Sequence, residues 1–547
     1  MFRRSLCRGP TLVVWGARAP ISRTRYRLYS NEVPQRQRSP PSQSPARDEP
    51  AHQYYSESLQ HALTVVGRFF KFAAVGGLGL GLAVAIAWEG AHQWVEYHEL
   101  ASVPQTLPDP FEWGLELERW TGPRGNGGTH SRLGWKGRHF VRAAWISLNW
   151  AFGTDASIIQ ASRPGAADSI ALNDEALVKA LVYLDSALAV ANHKAEMSRE
   201  DGTMDQTILD LHTLRASVLA RIGDPHALKS ASSIYNLVYD ALLREGRTSD
   251  AARMAVKLGD ISARLNHSDT AIGWWKKAVE LIGAMINNPA PKHASSRGSE
   301  EYLPRSPYSQ RILMSALVSL SGHYATSRKF RDTLATDFAM FTITPELLGR
   351  ALKPSSPALS SVEGSKSLHY SFILHRDALL RIHAAEVFYA LRDPSRSSDT
   401  PVPLYLTSLQ TAISSSEAVI RLLTQGPSAT PIPSPTSAVT PTASPAPLAP
   451  LSPKFASSPL LSAPSEVLLR QAKRTATHAH NLTGIVLEEQ GDTEQALDHF
   501  ERALEWAGGR EGHDERHAIQ SEWKSVWVNY VRAREAVLNK VPSENKT

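Results

Sequence analysis

The sequence predicts an all-α protein: a solenoid of helical repeats preceded by a single membrane-spanning helix. Three observations lead to this prediction. An apolar stretch near the N-terminus carries no charge, two distant segments repeat one pattern of small and aromatic residues, and nearly all of the chain after residue 165 has helical periodicity. At 42% hydrophobic residues, the chain can bury a substantial core.

Residues 1–29 are predicted to be a mitochondrial presequence. They contain seven arginines, they also contain serines, and they have no acidic residue. This is the composition of a transit peptide. Arg27-Leu28-Tyr29-Ser30 resembles a matrix-peptidase cleavage pattern. The alternative is a disordered basic tail. The rest of the chain carries nearly equal numbers of basic and acidic side chains, so the basic balance does not indicate nucleic acid binding.

Residues 30–62 are predicted to be a disordered tether, because they are rich in Pro, Ser, Arg and Gln. Residues 63–100 are predicted to form a transmembrane helix and its extension. The uncharged stretch from Phe72 to Trp88 would span about 25 Å as a helix, and its glycines argue against the alternative of a buried helix in a soluble domain.

Charge on either side of this helix predicts its orientation. Arg68 and Lys71 precede it, and Glu89 follows it. The positive-inside rule then predicts a single-pass inner-membrane protein with its N-terminus in the matrix and its large domain in the intermembrane space. Gly77 and Gly81 form a small-xxx-small pair that would allow another span to pack closely, although glycine flexibility explains the pair equally well.

Residues 101–165 are predicted to be an aromatic juxtamembrane segment. Its helix, from about Gly134 to Gly153, interleaves tryptophans with basic residues. Such a helix either lies on the membrane surface or packs as a core or capping helix, and the second is favoured because aromatic stripes usually face a core.

Residues 166–425 are predicted to form TPR-like repeats, and residues 465–540 are predicted to form one further repeat and a capping helix. One segment in each range shows the same spacing of residues. In each, a glycine would sit where two helices cross, and two alanines flank an aromatic residue on the second helix. Gly491 would form the turn in the C-terminal copy. This pattern resembles the tetratricopeptide repeat, a helix pair of about 34 residues. The residues predicted to pack in this way are Gly259, Ala271, Trp275, Ala278, Gly484, Gly491, Ala496, Phe500 and Ala503.

Fainter copies are predicted at residues 180–187, 223–238 and 322–341. In the most degenerate, Gly322 is predicted to pair with Leu334, Phe338 and Phe341. An ordinary helical bundle is the alternative, but a solenoid needs at least about three stacked repeats, and enough copies are present. Residues 426–464, rich in Pro, Ser, Thr and Ala, are predicted to be a disordered insertion.

Sequence motifs for catalysis are absent: there is no HExxH, GxSxG, Walker loop or dinucleotide fingerprint. The only cysteine, Cys7, lies in the presequence, so no thiolate metal site is expected. We therefore predict a protein-binding chain that is not an enzyme and has no cofactor, no metal and no nucleic acid partner.

The segment between the span and the repeats resembles one family. Trp113-Gly114-Leu115-Glu116-Leu117-Glu118-Arg119-Trp120-Thr121-Gly122, Gly134-Trp135-Lys136-Gly137-Arg138-His139 and Ala143-Ala144-Trp145 look like the fungal TPR-containing adaptor subunit of the mitochondrial i-AAA protease. The resemblance covers nearly all of residues 60–540.

The resemblance implies an inner-membrane adaptor that pairs with a second membrane subunit. It would recruit misfolded or unassembled membrane proteins to the i-AAA protease without cleaving them. The alternative is a TPR scaffold for the assembly or import of inner-membrane complexes. Both alternatives predict the same fold and topology.

Overall fold

A computed structural model describes residues 52–100, 109–116, 119–121, 128–150, 166–198, 206–283, 303–352, 360–392, 403–425, 449–508 and 520–540. The chain divides into two compact units, Phe2–Trp94 and Val95–Thr547. Every regular element of the described residues is a helix, and none of them is a strand. The predicted all-α class is therefore confirmed for these residues. The predicted presequence lies outside them.

The first unit contains one long helix, α1 (His52–Trp94). All side chains from residue 61 to residue 88 are exposed, including those of Phe72, Leu78 and Leu80. By length and composition alone, this helix is apolar enough to cross a membrane. It begins at His52, so the predicted disordered tether of residues 30–62 was wrong for residues 52–62. The reason is that this stretch contains no proline, whereas residues 31–51 before it contain several.

The second unit begins with a wide helical turn, Val95–Glu99, and then reaches α2 (Gly134–Trp150). Glu96 is buried and accepts hydrogen bonds from the Thr129 backbone N–H (2.9 Å) and from Arg138 (2.7 Å). Because α2 buries Val141 and Ala144, the predicted aromatic helix packs as a core helix, with Trp135 left exposed.

Thirteen further helices follow in the described residues: α3 (Ala166–Ser198), α4 (Gln206–Ile222), α5 (Pro225–Arg244), α6 (Thr248–Arg264), α7 (Ser268–Ile282), α8 (Pro307–Thr326), α9 (Phe330–Leu352), α10 (Ser360–Ala390), α11 (Leu404–Gln425), α12 (Pro453–Ala456), α13 (Ser462–Glu489), α14 (Thr493–Trp506) and α15 (Gln520–Lys540).

Where the connection between consecutive helices is described, as between α6 and α7 and between α13 and α14, a tight turn joins two helices that pack as a pair. The turn between α13 and α14 needs a left-handed residue, and Gly491 supplies it with φ +88°. The Asp492 backbone N–H then donates to the Leu487 carbonyl (3.0 Å), and the Asp492 carboxylate caps α14 by accepting from Gln495 N–H (3.2 Å). Asn266, with φ +61°, has the same place between α6 and α7.

Alternate helices also pack together. Contacts join α6 to α8, α8 to α10, α10 to α13, and α13 to α15. One layer of the unit is therefore made by these five helices, while the helices between them complete each pair. Among the described residues, the buried apolar side chains of the second unit form three large cores. The first joins α2, α3 and α4, the second runs from α4 to α10, and the third runs from α10 to α13.

The predicted disordered insertion, residues 426–464, was wrong for its last part. Residues 449–464 are described, and they include the short helix α12. Phe455, Leu460 and Leu461 are buried against α10 and α13. Three large apolar side chains are enough to fix this stretch onto the core despite its proline and serine content. Residues 426–448 lie outside the described residues.

Candidate functional site: a groove across alternate helices

The structure brings the predicted glycine–aromatic pairs together at the helix crossings. A Cβ on Gly484 would lie 2.6 Å from Phe500 Cε1, and a Cβ on Gly259 would overlap the Trp275 indole in the same way. Fully buried alanines flank these two rings, namely Ala271, Ala278, Ala496 and Ala503. The predicted span-packing residues Gly77 and Gly81 are exposed on α1, and a Cβ on either would meet no atom within 4 Å.

The degenerate copy at α8 and α9 is different, and the prediction made for it was wrong. Phe338 is 54% exposed, and Gly322 faces His383 rather than α9. The buried face of α9 lies one residue earlier and includes Asp337 and Met340. The prediction failed because it aligned the aromatic residues, whereas polar side chains occupy the crossing here.

A buried polar pair replaces the glycine and aromatic pair at this crossing. Ser321 Oγ donates to Asp337 Oδ1 (2.6 Å) and lies 3.1 Å from His383 Nδ1 on α10. Ser321 and Asp337 are both fully buried. Burial raises the pKa of Asp337 to about 7, against the hydrogen bond from Ser321, and burial lowers the pKa of His383.

These three residue types also occur in serine hydrolases, but the arrangement here does not suit nucleophilic attack. Ser321 has no exposed surface, and it bonds the aspartate directly instead of through the histidine. No group of three or more His, Cys, Asp or Glu in the described residues is arranged to hold a metal ion. The absence of an enzymatic role stays a prediction.

An open cavity of about 580 Å³ lies beside this polar pair, on the layer of alternate helices. It is lined mainly by α6, α8 and α10, with Trp275 and Phe330 contributing apolar surface. Its polar lining comes from Asp260, Arg264, Ser319, His323, His383 and Glu386. We call this cavity the open half of the groove.

Asp260 is the central polar group of the open half. Its Oδ1 accepts from Trp275 Nε1 (3.0 Å) and from Ser319 Oγ (3.1 Å). The side chain is reached by solvent but is surrounded by protein on most sides, so desolvation raises the pKa of Asp260. Burial likewise lowers the pKa values of His323 and His383, which favours their neutral forms.

The other half of the groove is filled by residues 109–116 of the same chain, which we call the strap. Trp113 is its anchor: the ring is 1% exposed, its Nε1 donates to the Ser365 carbonyl (3.0 Å), and it joins the core formed with Phe455 and Leu461. The Arg311 guanidinium carbon lies 3.9 Å from the centre of the Trp113 ring, a stacked cation–π contact.

Two arginines hold the main chain of the strap. Arg253 on α6 donates to the carbonyls of Leu115 and Glu116, both at 2.9 Å. Arg311 on α8 donates to the carbonyls of Phe111 (2.8 Å) and Glu112 (3.1 Å), and it pairs with the Glu116 carboxylate. Main-chain carbonyls are thus bound by arginines from two alternate helices.

The strap also caps a helix. The Glu112 carboxylate accepts from Tyr308 N–H (3.1 Å) and from Ser306 Oγ at the start of α8. A negative group is favourable there because of the helix dipole. Glu112 has φ +55°, a conformation that costs roughly 1–3 kcal/mol in a residue other than glycine, so these contacts hold the strap against local strain.

A third arginine, Arg376 on α10, lies near the strap but is not among the residues that line the cavity. Its guanidinium carbon is 4.8 Å from the centre of the Phe372 ring, and Phe372 contacts Trp113 edge-to-face. Within the described part of the chain, Arg376 makes no hydrogen bond and no ion pair, and its Nε is buried. Burial lowers the pKa of Arg376, while the charges of Glu116 and Asp260 act to raise it.

The same faces of three helices line both halves. Arg253 and Asp260 on α6 are seven residues apart, as are Arg376 and His383 on α10, and Arg311 and Gly322 on α8 are eleven apart. Both spacings return to nearly the same direction around a helix. The strap contacts and the cavity therefore lie on the same faces of α6, α8 and α10, and we call this surface the groove.

Comparisons with known proteins identify no family for this chain. No protein-family profile and no curated protein sequence matches it. Among solved structures, one similar chain is described as a circular tandem repeat protein with novel repeat topology and enhanced subunit contact surfaces. It shares 13% identity with a TM-score of 0.19, over 74% of this chain and 86% of that chain. A TM-score this low establishes no shared fold.

Proposed function

We propose that this chain is a membrane-anchored, TPR-like protein that binds other proteins through the groove across α6, α8 and α10. One observation carries this proposal: arginines on α6 and α8 already hold the main chain of one polypeptide segment, the strap, and an open cavity lies on the same helices. Stacked helical repeats commonly use such concave surfaces to bind polypeptides.

The TPR-like repeat is supported by the crossings at Gly259–Trp275 and Gly484–Phe500. The glycine lets the two helices approach, and the aromatic ring fills the space above it. Both crossings have the same spacing along the chain, and both second helices bury alanines on either side of the ring.

Membrane anchoring is supported by α1. An apolar side chain exposed to water forgoes roughly 1.5–3 kcal/mol that burial would provide, and α1 exposes many of them in succession. A bilayer would cover that surface. With the arginine-rich N-terminus and the positive-inside rule, we propose a single-pass mitochondrial inner-membrane protein with its repeats in the intermembrane space.

We propose further that the protein recruits misfolded or unassembled membrane proteins to the i-AAA protease, together with a second membrane subunit. The support is the resemblance of the segments Trp113–Gly122 and Gly134–His139 to the adaptor family. The strap overlaps the first of these segments, so part of the resemblance falls on residues that organise the groove.

The test is quantitative mass spectrometry of proteins that co-purify with the tagged full chain from mitochondria in mild detergent. A tagged fragment of residues 1–100, which carries the presequence and α1 only, is the matched control. We expect an i-AAA protease and a small membrane subunit to be enriched with the full chain and not with the fragment. Enrichment of respiratory-complex or translocase subunits without a protease would overturn the adaptor role in favour of an assembly scaffold.

A further inference from the structure

Two large aromatic side chains of the second unit are exposed close to the point where the chain leaves α1. The second unit begins at Val95, directly after Trp94, the last residue of α1. Tyr97 is 69% exposed on the first helical turn, and Trp135 is 72% exposed at the start of α2. Tryptophan and tyrosine combine an apolar ring with a polar group, and both are enriched where membrane and water meet. Exposed rings at this place therefore suit a membrane surface.

A buried carboxylate fixes the start of α2 to the first residues after α1. Glu96 lies 2.7 Å from Arg138 Nη2 and 3.4 Å from Arg142 Nε. The uncharged stretch of α1 ends at Trp88, so residues 89–94 cover about 9 Å of helix. The headgroup layer is roughly 5–8 Å thick on each side of the hydrocarbon core. If α1 spans the bilayer, the chain therefore reaches Glu96 near the outer edge of the headgroups.

Basic side chains surround Trp135. Arg132 and Lys136 are exposed on either side of it in the chain. Lys194 reaches the same place from α3, because a Cβ on Gly134 would overlap its Nζ atom. An exposed tryptophan thus lies among cationic groups that come from two helices and the turn before α2.

The charge of this region is net positive when every nearby carboxylate is included. Residues 95–99, 131–142 and 190–197 carry five basic side chains and three carboxylates, namely Arg132, Lys136, Arg138, Arg142 and Lys194 against Glu96, Glu99 and Glu196. The buried Glu96 is shared by two of the arginines. Positive charge beside a membrane attracts the phosphate groups of anionic phospholipids.

We infer that the surface formed by Arg132, Trp135, Lys136 and Lys194, with Tyr97 on the adjoining turn, binds the headgroup layer of anionic phospholipids. We call it the lipid-facing surface. The inference deepens the proposed function and rests on the membrane anchoring proposed there. The chain itself selects this partner, because α1 brings the bilayer to within a few residues of Tyr97. The second unit is then held to the membrane at two points, by α1 and by the lipid-facing surface.

The test measures contact with lipid headgroups in the full chain. Cys7 is the only cysteine, so Cys7→Ser permits a single bimane label, placed by Ser131→Cys on the exposed turn before α2. The chain is reconstituted in nanodiscs of phosphatidylcholine and phosphatidylglycerol, with a nitroxide on part of the choline headgroups. A nitroxide quenches bimane on contact. We expect stronger quenching at this position than for a control label placed by Lys229→Cys on the exposed side of α5.

Two variants of the labelled chain test the lipid-facing surface itself. Lys136→Gln should lower the ratio of docked to undocked chains about fivefold, equivalent to about 1 kcal/mol for one basic residue near an anionic membrane. Arg244→Gln is the matched control, because it removes an exposed arginine on α5, and it should leave the quenching unchanged. Trp135→Ala should also lower the quenching, and circular dichroism reports the folding of each variant.

A label placed by Leu80→Cys separates this inference from the proposed function. Leu80 lies on the exposed apolar part of α1, so acyl-chain nitroxides quench this label if α1 spans the bilayer. Quenching there, with no more quenching at Ser131 than on α5, would overturn the inference and leave the membrane anchor standing. No quenching at Leu80 would overturn both. The inference also fails if neither Lys136→Gln nor Trp135→Ala lowers the quenching at Ser131.

Discussion

At the scale of single residues, the point where the two helices of a repeat cross is packed in two chemically different ways. Gly259 and Gly484 make room for an aromatic ring, whereas Ser321 donates a hydrogen bond to the buried Asp337. The first arrangement depends on close packing alone. The second depends on protonation, because burial of Asp337 disfavours its charged form.

Close packing predicts that Gly484→Ala destabilises the protein by about 1–3 kcal/mol, since the added methyl would overlap the rigid, fully buried Phe500 ring. Gly273→Ala is the control. It lies in the middle of α7 with nothing within 4 Å, so it should stabilise by about 0.5–1 kcal/mol. Thermal unfolding of the full chain in detergent measures both. Equal effects would show that the crossing is not tightly packed.

Because the buried Asp337 carboxyl holds its proton to a higher pH in the folded protein, the effect of Asp337→Asn on stability should depend on pH. The folded pKa of about 7 lies above the unfolded value of about 3.9, so the wild type is most stable below about pH 4 with respect to this group. That contribution is lost as pH rises from about 4 to about 7. Relative to wild type, Asp337→Asn should therefore gain stability over the same range of pH.

The expected gain is at least about 1.4 kcal/mol, the equivalent of one pKa unit. It is measured as the change in the difference between variant and wild-type unfolding free energies, which removes the contributions of other titrating groups. A flat difference for Asp337→Asn would mean that its carboxyl is ionised in the folded protein at neutral pH.

At the scale of elements, the strap is the segment on which the groove depends most. It touches α6, α8 and α10 within eight consecutive residues, and it supplies the aromatic anchor of one of the main cores. It has almost no regular structure of its own, so its conformation comes from tertiary contacts.

Trp113→Ala should destabilise the second unit by about 3–5 kcal/mol, because it leaves a cavity and removes the ring that stacks on Arg311. Hydrogen exchange should rise in the first turns of α8, where Glu112 forms the cap. Trp135→Ala, at a residue that is 72% exposed, is the control and should change stability by less than about 0.5 kcal/mol. If the two variants behaved alike, the strap would not be an integral part of the fold.

Sequence periodicity predicted much of this architecture, because small and aromatic residues at helical spacing report local packing. The crossings at Gly259 and Gly484 could be placed in that way. The strap contacts could not, since Arg253 and Arg311 look like surface charges until the fold brings them to residues more than 130 positions away. Asp337 was missed because a polar residue in a buried repeat position gives no apolar signal.

At the scale of the whole molecule, the chain joins one unit that exposes its apolar side chains to a second unit that buries them. The exposed apolar surface of α1 suits a bilayer, whereas the second unit buries its own apolar side chains in continuous cores. We expect the full chain to stay in the membrane pellet after alkaline carbonate extraction of mitochondria.

Placing Arg at both Leu78 and Leu82 should release the protein into the soluble fraction, because each arginine near the centre of a span costs about 2.5–3.5 kcal/mol. Phe at both positions is the matched control and should be retained. A C-terminal tag should resist protease in intact mitochondria and be cut in mitoplasts. Protection of the tag in mitoplasts would place the repeats in the matrix and contradict the predicted orientation.

The strap also has a consequence for the order of folding. It is made early in synthesis, yet its partners on α8 and α10 follow 194–252 positions later, and Leu461 follows later still. During translation, Trp113 therefore stays exposed until most of the chain has emerged. Closing so long a loop slows the final step of folding. Docking of the strap is thus a sign of completed folding: a chain cut short before α10 would display an unsatisfied aromatic segment that chaperones and proteases can recognise.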